Sequence, residues 1–212
     1  MTKRTETNPT EPVVHIVDDD EAVRDSLRLL LYSVGIETVT YGSAADFLAR
    51  CDCDRPGCLI VDVRMPGMSG LDLQKELAHR HVPLPVIVIT AHGDTPMAVG
   101  ALKAGAFDFI EKPYDDQNLI DSVLHAIDRG SRLWRDHERI AKARTDYESL
   151  TAREREVMAL VVAGESSKSI AGHLGISPRT VEIHRARIME KVNARGLADL
   201  VRMAQLLETA EE

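Results

Sequence analysis

Five short apolar runs, each followed by a stretch of helical periodicity, constrain this chain more than any other feature. Val13–Val17 is the first, and residues 36–41, 58–61, 86–89 and 107–110 are the others. Between the first two, Leu27, Leu30, Leu31 and Val34 recur at helical spacing and Gly35 stops the helix. Ser43 with Asp46 has the spacing of a helix N-cap box, and Gly105 closes a helix that begins near Pro96. Strands that are apolar along their whole length are buried on both faces, which implies a parallel sheet covered by helices on each side. Right-handed crossovers then make residues 13–128 a doubly wound, five-stranded α/β domain.

The rest of the 212 residues has a different character. Residues 1–12 lack an apolar run, so we expect a flexible tail and no signal peptide. Residues 129–148 are rich in charge and read as a helical linker. Ile120, Ile127, Trp134 and Ala141 fall seven apart there, hinting at a coiled seam, although Gly130 interrupts it. Residues 149–212 show only short helices. Thr151 with Glu154 forms a capping box, Gly164 ends that helix, and Gly175 turns the chain after Ser167–Leu174. Ser177 caps a helix whose first residue is Pro178 and which runs to about Val192; a last one spans about residues 197–207. Val181, Ile188 and Val192 are expected in the core, with Leu197, Leu200, Val201 and Ala204 of the last helix. Acid is concentrated at the front: residues 1–130 hold 12 Lys+Arg against 21 Asp+Glu, whereas residues 149–212 hold 9 of each. A generally cationic nucleic-acid coat is therefore excluded.

The ends of the apolar runs carry the chemistry. Asp18, Asp19 and Asp20 follow the first strand, Asp62 ends the third, Thr90 the fourth, and Lys112 follows the fifth. Open α/β sheets bind ligands at that rim, where strand order reverses. Carboxylates gathered there repel one another and need a cation; hard oxygens suit Mg²⁺. A Mg²⁺ held by Asp19 and Asp62, with Asp18 through water, leaves Asp62 placed to attack phosphorus in line. Thr90 and Lys112 can each meet a phosphoryl oxygen. Asp20 has a second reading, as the cap of the first helix, and Phe109 has one as plain strand core.

The segments HIVDDDEAVR, LIVDVRMPGMSGLDL, VIVITAHGD and FDFIEKPYD together resemble the receiver domain of two-component systems across nearly all of residues 13–128. The resemblance implies that Asp62 is the phosphoacceptor. Asp18 and Asp19 become the acidic metal pair, with the backbone carbonyl of Arg64 as a further ligand. Thr90, Phe109 and Lys112 become the switch and phosphate-facing residues, with Lys112 before a cis proline.

LTAREREVMALVVAGESSKSIAGHLGISPRTVEIHRARIMEKV is similar to the LuxR/NarL-type helix-turn-helix, and the whole chain resembles the FixJ-type branch of response regulators. Residues 178–192 would then lie in the major groove of DNA. Glu182, Ile183 and Ala186 match the base-reading positions, and Glu182 can accept from a cytosine amino group. Thr180, Arg185 and Lys191 suit phosphates, and Arg187 either a base edge or a phosphate. Arg179 completes the basic face. The implied partners are a sensor histidine kinase, promoter DNA, RNA polymerase and, after phosphorylation, a second copy of the chain, all in the cytoplasm and with no membrane. A phosphotransfer enzyme with an aspartyl intermediate fits less well, because Arg64 stands where a second acid, two residues past Asp62, is needed. An interaction module that works without phosphate fits less well too, because every pocket residue is present. Cys51, Cys53 and Cys58 lack an obvious fourth zinc ligand, and their odd number suits a reducing compartment better than a disulfide framework.

Overall fold

The computed structural model describes residues 11–209 except 52, 54, 92 and 94, so most of the expected N-terminal tail lies outside the described residues. β1 (Val13–Val17), β2 (Glu37–Tyr41), β3 (Gly57–Asp62), β4 (Val86–Thr90) and β5 (Asp108–Glu111) alternate with α1 (Glu21–Ser33), α2 (Ala44–Arg50), α3 (Gly70–His79), α4 (Thr95–Lys103) and α5 (Asp116–Glu148). All four strand pairings are parallel, in the order β2-β1-β3-β4-β5. This is the doubly wound α/β fold that the apolar runs predict.

Strand periodicity sorts the core into two layers. Cys58 and Ile60 of β3 join Val14, Ile16, Ile87, Ile89, Leu27, Leu31, Leu119 and Val123 on one face, beneath α1 and α5. Leu59 and Val61 point the other way, into Phe47, Leu73, Leu77, Val88 and Ala101 beneath α2, α3 and α4. Asp20 caps α1, its side chain accepting from the Ala22 N–H at 2.9 Å, which settles the second reading of that residue in favour of the cap.

The helix α5 is continuous from Asp116 to Glu148, running through the point where the sequence suggested a break between domain and linker. Gly130 is accommodated because it permits contact. A Cβ on Gly130 would lie 1.9 Å from the carbonyl oxygen of Gly57, so only glycine lets the helix sit this close to the start of β3. The seven-residue seam does not form a buried stripe: Ile120 is buried and Trp134 half-buried, but Ala141 is exposed and Ala143 takes the buried place.

The chain divides into two compact units between Arg135 and Asp136. The second contains α6 (Ala152–Val162), α7 (Ser167–Leu174), α8 (Pro178–Lys191) and α9 (Leu197–Thr209). Val157, Val161, Ile170, Val181, Ile188 and Val192 form its core, with Leu200 and Met203 of α9. Leu197 is 47% exposed, contrary to its expected core position; Met203, six residues on, faces inward.

The cysteines also differ from expectation. Cys51 and Cys53 are joined by a disulfide across a Cα separation of 5.4 Å, well inside the bridging range. Cys58 is free and buried, and burial pushes its thiol up to about 12.

Candidate functional site

Strand order places the acidic rim. β1 pairs with β2 on one side and β3 on the other, so the order in which strands are added reverses between β1 and β3. Val17 is in register with Val61, and the next residue of each strand is an aspartate. Asp18 and Asp62 thus emerge side by side at the reversal, 4% and 8% exposed. Lys112 bridges them, its Nζ donating to Asp18 Oδ2 at 3.0 Å and to Asp62 Oδ1 at 2.9 Å. The remaining oxygens are also held. Asp18 Oδ1 accepts from the Asp20 N–H at 2.9 Å, and Asp62 Oδ2 from the Arg64 N–H at 2.6 Å.

Two carboxylates against one ammonium leave the pocket short of positive charge. Burial raises the Asp18 carboxyl above the usual carboxylate value, the adjacent Asp62 adds to this, and the bonds from Asp20 and Lys112 offset only part of it. Burial also works against the Lys112 ammonium, but its bonds to Asp62 and Asp18 outweigh that and hold its pKa above the ordinary lysine value. An under-neutralised pair of hard oxygen donors fits Mg²⁺. Asp19, expected beside them, lies one step farther along the β1–α1 connection and is exposed. Among the described residues no three His, Cys, Asp or Glu side chains gather closely enough to hold a metal ion. The assembled set is therefore two carboxylates and a lysine.

Thr90, at the end of β4, is buried, and its carbonyl accepts from the Lys112 N–H at 2.8 Å, tying the two phosphate-facing candidates together through the backbone. The Lys112–Pro113 peptide is cis. Phe109 is half-buried against the core beneath α2, α3 and α4. Three contributors were not singled out in the sequence. Gly93 separates Phe109 from Thr90: a Cβ there would lie 3.0 Å from the Phe109 ring and 3.2 Å from the Thr90 methyl. Arg24 donates to the Asp18 carbonyl at 2.7 Å. Gly70 brings the start of α3 onto the Asp62 backbone, where a Cβ would be 2.2 Å from the carbonyl oxygen. Each depends on a tertiary approach with no local pattern to signal it.

In the second unit, Ser177 caps α8 with Pro178 in the first turn, and Gly175 ends α7 with φ 65°. Arg179, Glu182, Ile183, Ala186 and Arg187 are exposed on α8, whereas Val181 and Ile188 are buried. Thr180 is half-buried, its hydroxyl 2.8 Å from that of Ser177. The Glu182 carboxylate accepts from the Ser167 hydroxyl, and Arg185 Nη1 donates to the same hydroxyl oxygen at 3.2 Å. Lys191 departs from the phosphate role expected of it. Its ammonium donates to Glu154 Oε2 at 2.7 Å and to the Ser149 carbonyl at 3.2 Å.

Glu154 is 3% exposed and completes the capping box of α6 with Thr151. The Lys191 ammonium and the Thr151 N–H hold its carboxyl at about 2, from an ordinary 4.5. A carboxyl whose pKa is depressed by folding stabilises the fold above the unfolded value and stops doing so below the folded one. The second unit should therefore lose stability as pH falls from about 4.5 to about 2. Lys191→Gln should flatten that dependence, read as its thermal midpoint at pH 7, 4 and 2.5. Equal slopes for the two proteins would show that the pair contributes nothing.

Comparison with known proteins agrees with this anatomy. Residues 14–124 match the model of the response regulator receiver domain, and residues 148–204 that of bacterial regulatory proteins of the luxR family. The transcriptional regulatory protein FixJ of Azorhizobium caulinodans is 47% identical over 203 residues, 95% of this chain and 96% of the relative. The C4-dicarboxylate transport transcriptional regulatory protein DctR of Rhodobacter capsulatus is 51% identical over 200 residues, 90% of this chain and 98% of the relative. The solved structure of the response regulator StyR superposes with a TM-score of 0.79 at 42% identity, covering 92% of this chain and 99% of that one. With the acidic rim at the sheet reversal and the exposed helix α8 behind a glycine turn, the chain belongs to the response regulators that join a receiver domain to a LuxR-type helix-turn-helix, the family of transcription regulators that includes FixJ.

Proposed function

We propose that Asp62 takes a phosphoryl group from a sensor histidine kinase and that the phosphorylated chain dimerises and binds promoter DNA to regulate transcription, with RNA polymerase as its onward partner. The observation that carries this reading is the Lys112 ammonium shared by Asp18 and Asp62 at the sheet reversal. In the transfer, an Asp62 oxygen attacks phosphorus as the bond to the kinase histidine breaks, producing an acyl phosphate and a neutral imidazole. Lys112 exchanges its contact with Asp62 Oδ1 for a phosphoryl oxygen. Thr90 turns its hydroxyl to another, and Phe109 follows into the space that Thr90 leaves. Asp18, Asp62 and the Arg64 carbonyl would hold Mg²⁺, joined by Asp19 once its exposed side chain turns toward the rim; when bound, the ion supplies the positive charge that the pocket lacks. The chain is a phosphoacceptor with slow self-dephosphorylation rather than a turnover enzyme.

Phosphorylation adds roughly two negative charges beside Thr90, which biases an existing two-state equilibrium of the domain toward the paired form. Arg179, Arg185 and Arg187 face phosphates or base edges, with Thr180 fixing register, while Glu182, Ile183 and Ala186 read bases. Lys191, already engaged by Glu154, stays out of that set. No helix among the described residues is long and apolar enough to cross a membrane. A regulator that binds promoter DNA works where that DNA is, and on that ground we place it in the cytoplasm.

The test uses acetyl phosphate and Mg²⁺ with the full chain and a random double-stranded DNA pool. The expected result is a phosphorylated dimer that enriches a two-fold symmetric site with affinity at least about tenfold above the untreated chain. Equal affinity and mass with and without the phosphodonor would overturn phospho-control.

A further inference from the structure

We propose that Ser167, the first residue of α7, is a specificity-determining positioning residue that aims Glu182 at one base of the operator. The inference deepens the DNA-binding reading above and rests on it. Ser167 lies outside the recognition helix α8 and is half-buried against it. Its hydroxyl has one proton, which goes to Glu182 Oε1, and its oxygen accepts from Arg185 Nη1. The three side chains thus form a relay in a fixed order, guanidinium to hydroxyl to carboxylate. Glu182 Oε2 makes no hydrogen bond among the described residues.

Charge makes this relay necessary. A carboxylate on a helix that enters a groove walled by phosphates is repelled by them. A glutamate left free would swing away from the duplex, since several rotamers are open to it. Held by Ser167, with the Arg185 cation one bond farther back, Glu182 keeps its direction and its charge is balanced. The free Oε2 is then an acceptor at a set position beside the exposed Ile183 and Ala186. The base edge that supplies a lone N–H donor to a carboxylate in the major groove is the cytosine N4 amino group. Arg185 retains further N–H groups for phosphate. Ser167 therefore sets which base is read without itself touching DNA.

The experiment selects sites from a random double-stranded pool with the full acetyl-phosphate-treated chain, then measures binding to every single-base variant of the selected site. Ser167→Ala should lose about tenfold of the discrimination at one C·G pair per half-site. Other positions, non-specific affinity and the salt slope should stay unchanged. Ser167→Thr, which keeps the hydroxyl, should restore the preference. Glu182→Ala should lose the same preference, and the double variant Ser167→Ala with Glu182→Ala should lose no more than Glu182→Ala alone. Unaltered ratios in Ser167→Ala, or equal weakening on all sequences, would overturn the assignment while leaving DNA binding intact. A wild-type chain that enriches no site would instead overturn the DNA-binding reading itself. If Ser167→Ala lowers thermal stability, Ser167→Thr against Ser167→Val, which differ in little but the hydroxyl, decides in its place: loss of the C·G preference in Ser167→Val alone is expected, and equal preference in the two overturns the relay.

Discussion

Asp62→Asn is expected to take up no phosphoryl group from acetyl phosphate, while Asp18→Asn still does so at a rate lower by on the order of a hundredfold. The contrast matters because the two carboxylates are close to equivalent in the structure. Both are buried, both bond Lys112, and both accept one backbone N–H. Exposure separates them slightly: the Asp62 side chain is 10% accessible and that of Asp18 5%, so Asp62 is nearer the mouth. An amide has no nucleophilic oxygen anion, hence the complete loss in Asp62→Asn. Asp18→Asn keeps the proposed acceptor and removes half of the buried negative charge, so it is expected to weaken the proposed Mg²⁺ binding instead. Neither variant should unfold the domain. Asparagine at 62 leaves one of two donors, Lys112 or the Arg64 N–H, without an acceptor, at a cost of about 1 kcal/mol. Relief of repulsion with Asp18 offsets a similar amount. The readout is intact mass after incubation with the phosphodonor. Phosphorylation of Asp62→Asn at the wild-type level would move the acceptor to another residue.

Gly130→Ala is the variant with the largest expected effect on stability. In an exposed helix interior this change stabilises by about 1 kcal/mol, because alanine is the better helix former. Here the new methyl would lie 1.9 Å from the Gly57 carbonyl oxygen and 3.0 Å from its carbon, with Pro85 Cδ at 3.2 Å. The first two obstacles are backbone, which cannot rotate aside. Overpacking of this kind costs about 3 kcal/mol, so the clash wins and the net loss is about 2 kcal/mol. For a domain of this size that lowers the melting temperature by roughly 8 °C. The first unit's own transition, followed by calorimetry, should move while that of the second unit stays. A melting temperature equal to or above wild type would mean that α5 sits farther from β3 than described.

The receiver pocket was legible because its logic is carried by strand ends. Apolar runs fix the strands, and the residues at or just past their ends fall on one rim, so Asp18, Asp62, Thr90 and Lys112 come together whatever the details of packing. What the sequence could not convey depends on contacts between remote segments. Gly130 reads as a helix breaker until the approach of Gly57 is seen. Lys191 has the charge and location of a phosphate contact, but its partner Glu154 is 37 residues away on another helix. Asp19 and Leu197 have the right chemistry for their expected places, yet Asp19 falls one step farther along the loop and Leu197 at the first position of α9, and each is exposed. Ser167 carries no sequence signal beyond that of a helix start, because its role lies in the angle between α7 and α8. The paired Cys51 and Cys53 were missed because the odd count was read as a sign of a reducing compartment, although two cysteines two residues apart lie within bridging reach of each other.

Since the Lys191 ammonium is turned toward Glu154, the proposed recognition helix would meet a duplex with one cation fewer than its composition suggests. One phosphate contact fewer would displace about one condensed ion fewer on docking, so the log–log dependence of affinity on salt would be shallower by about 0.9. On the DNA-binding reading proposed above, such a chain would lose less affinity as ionic strength rises than one whose Lys191 met a phosphate.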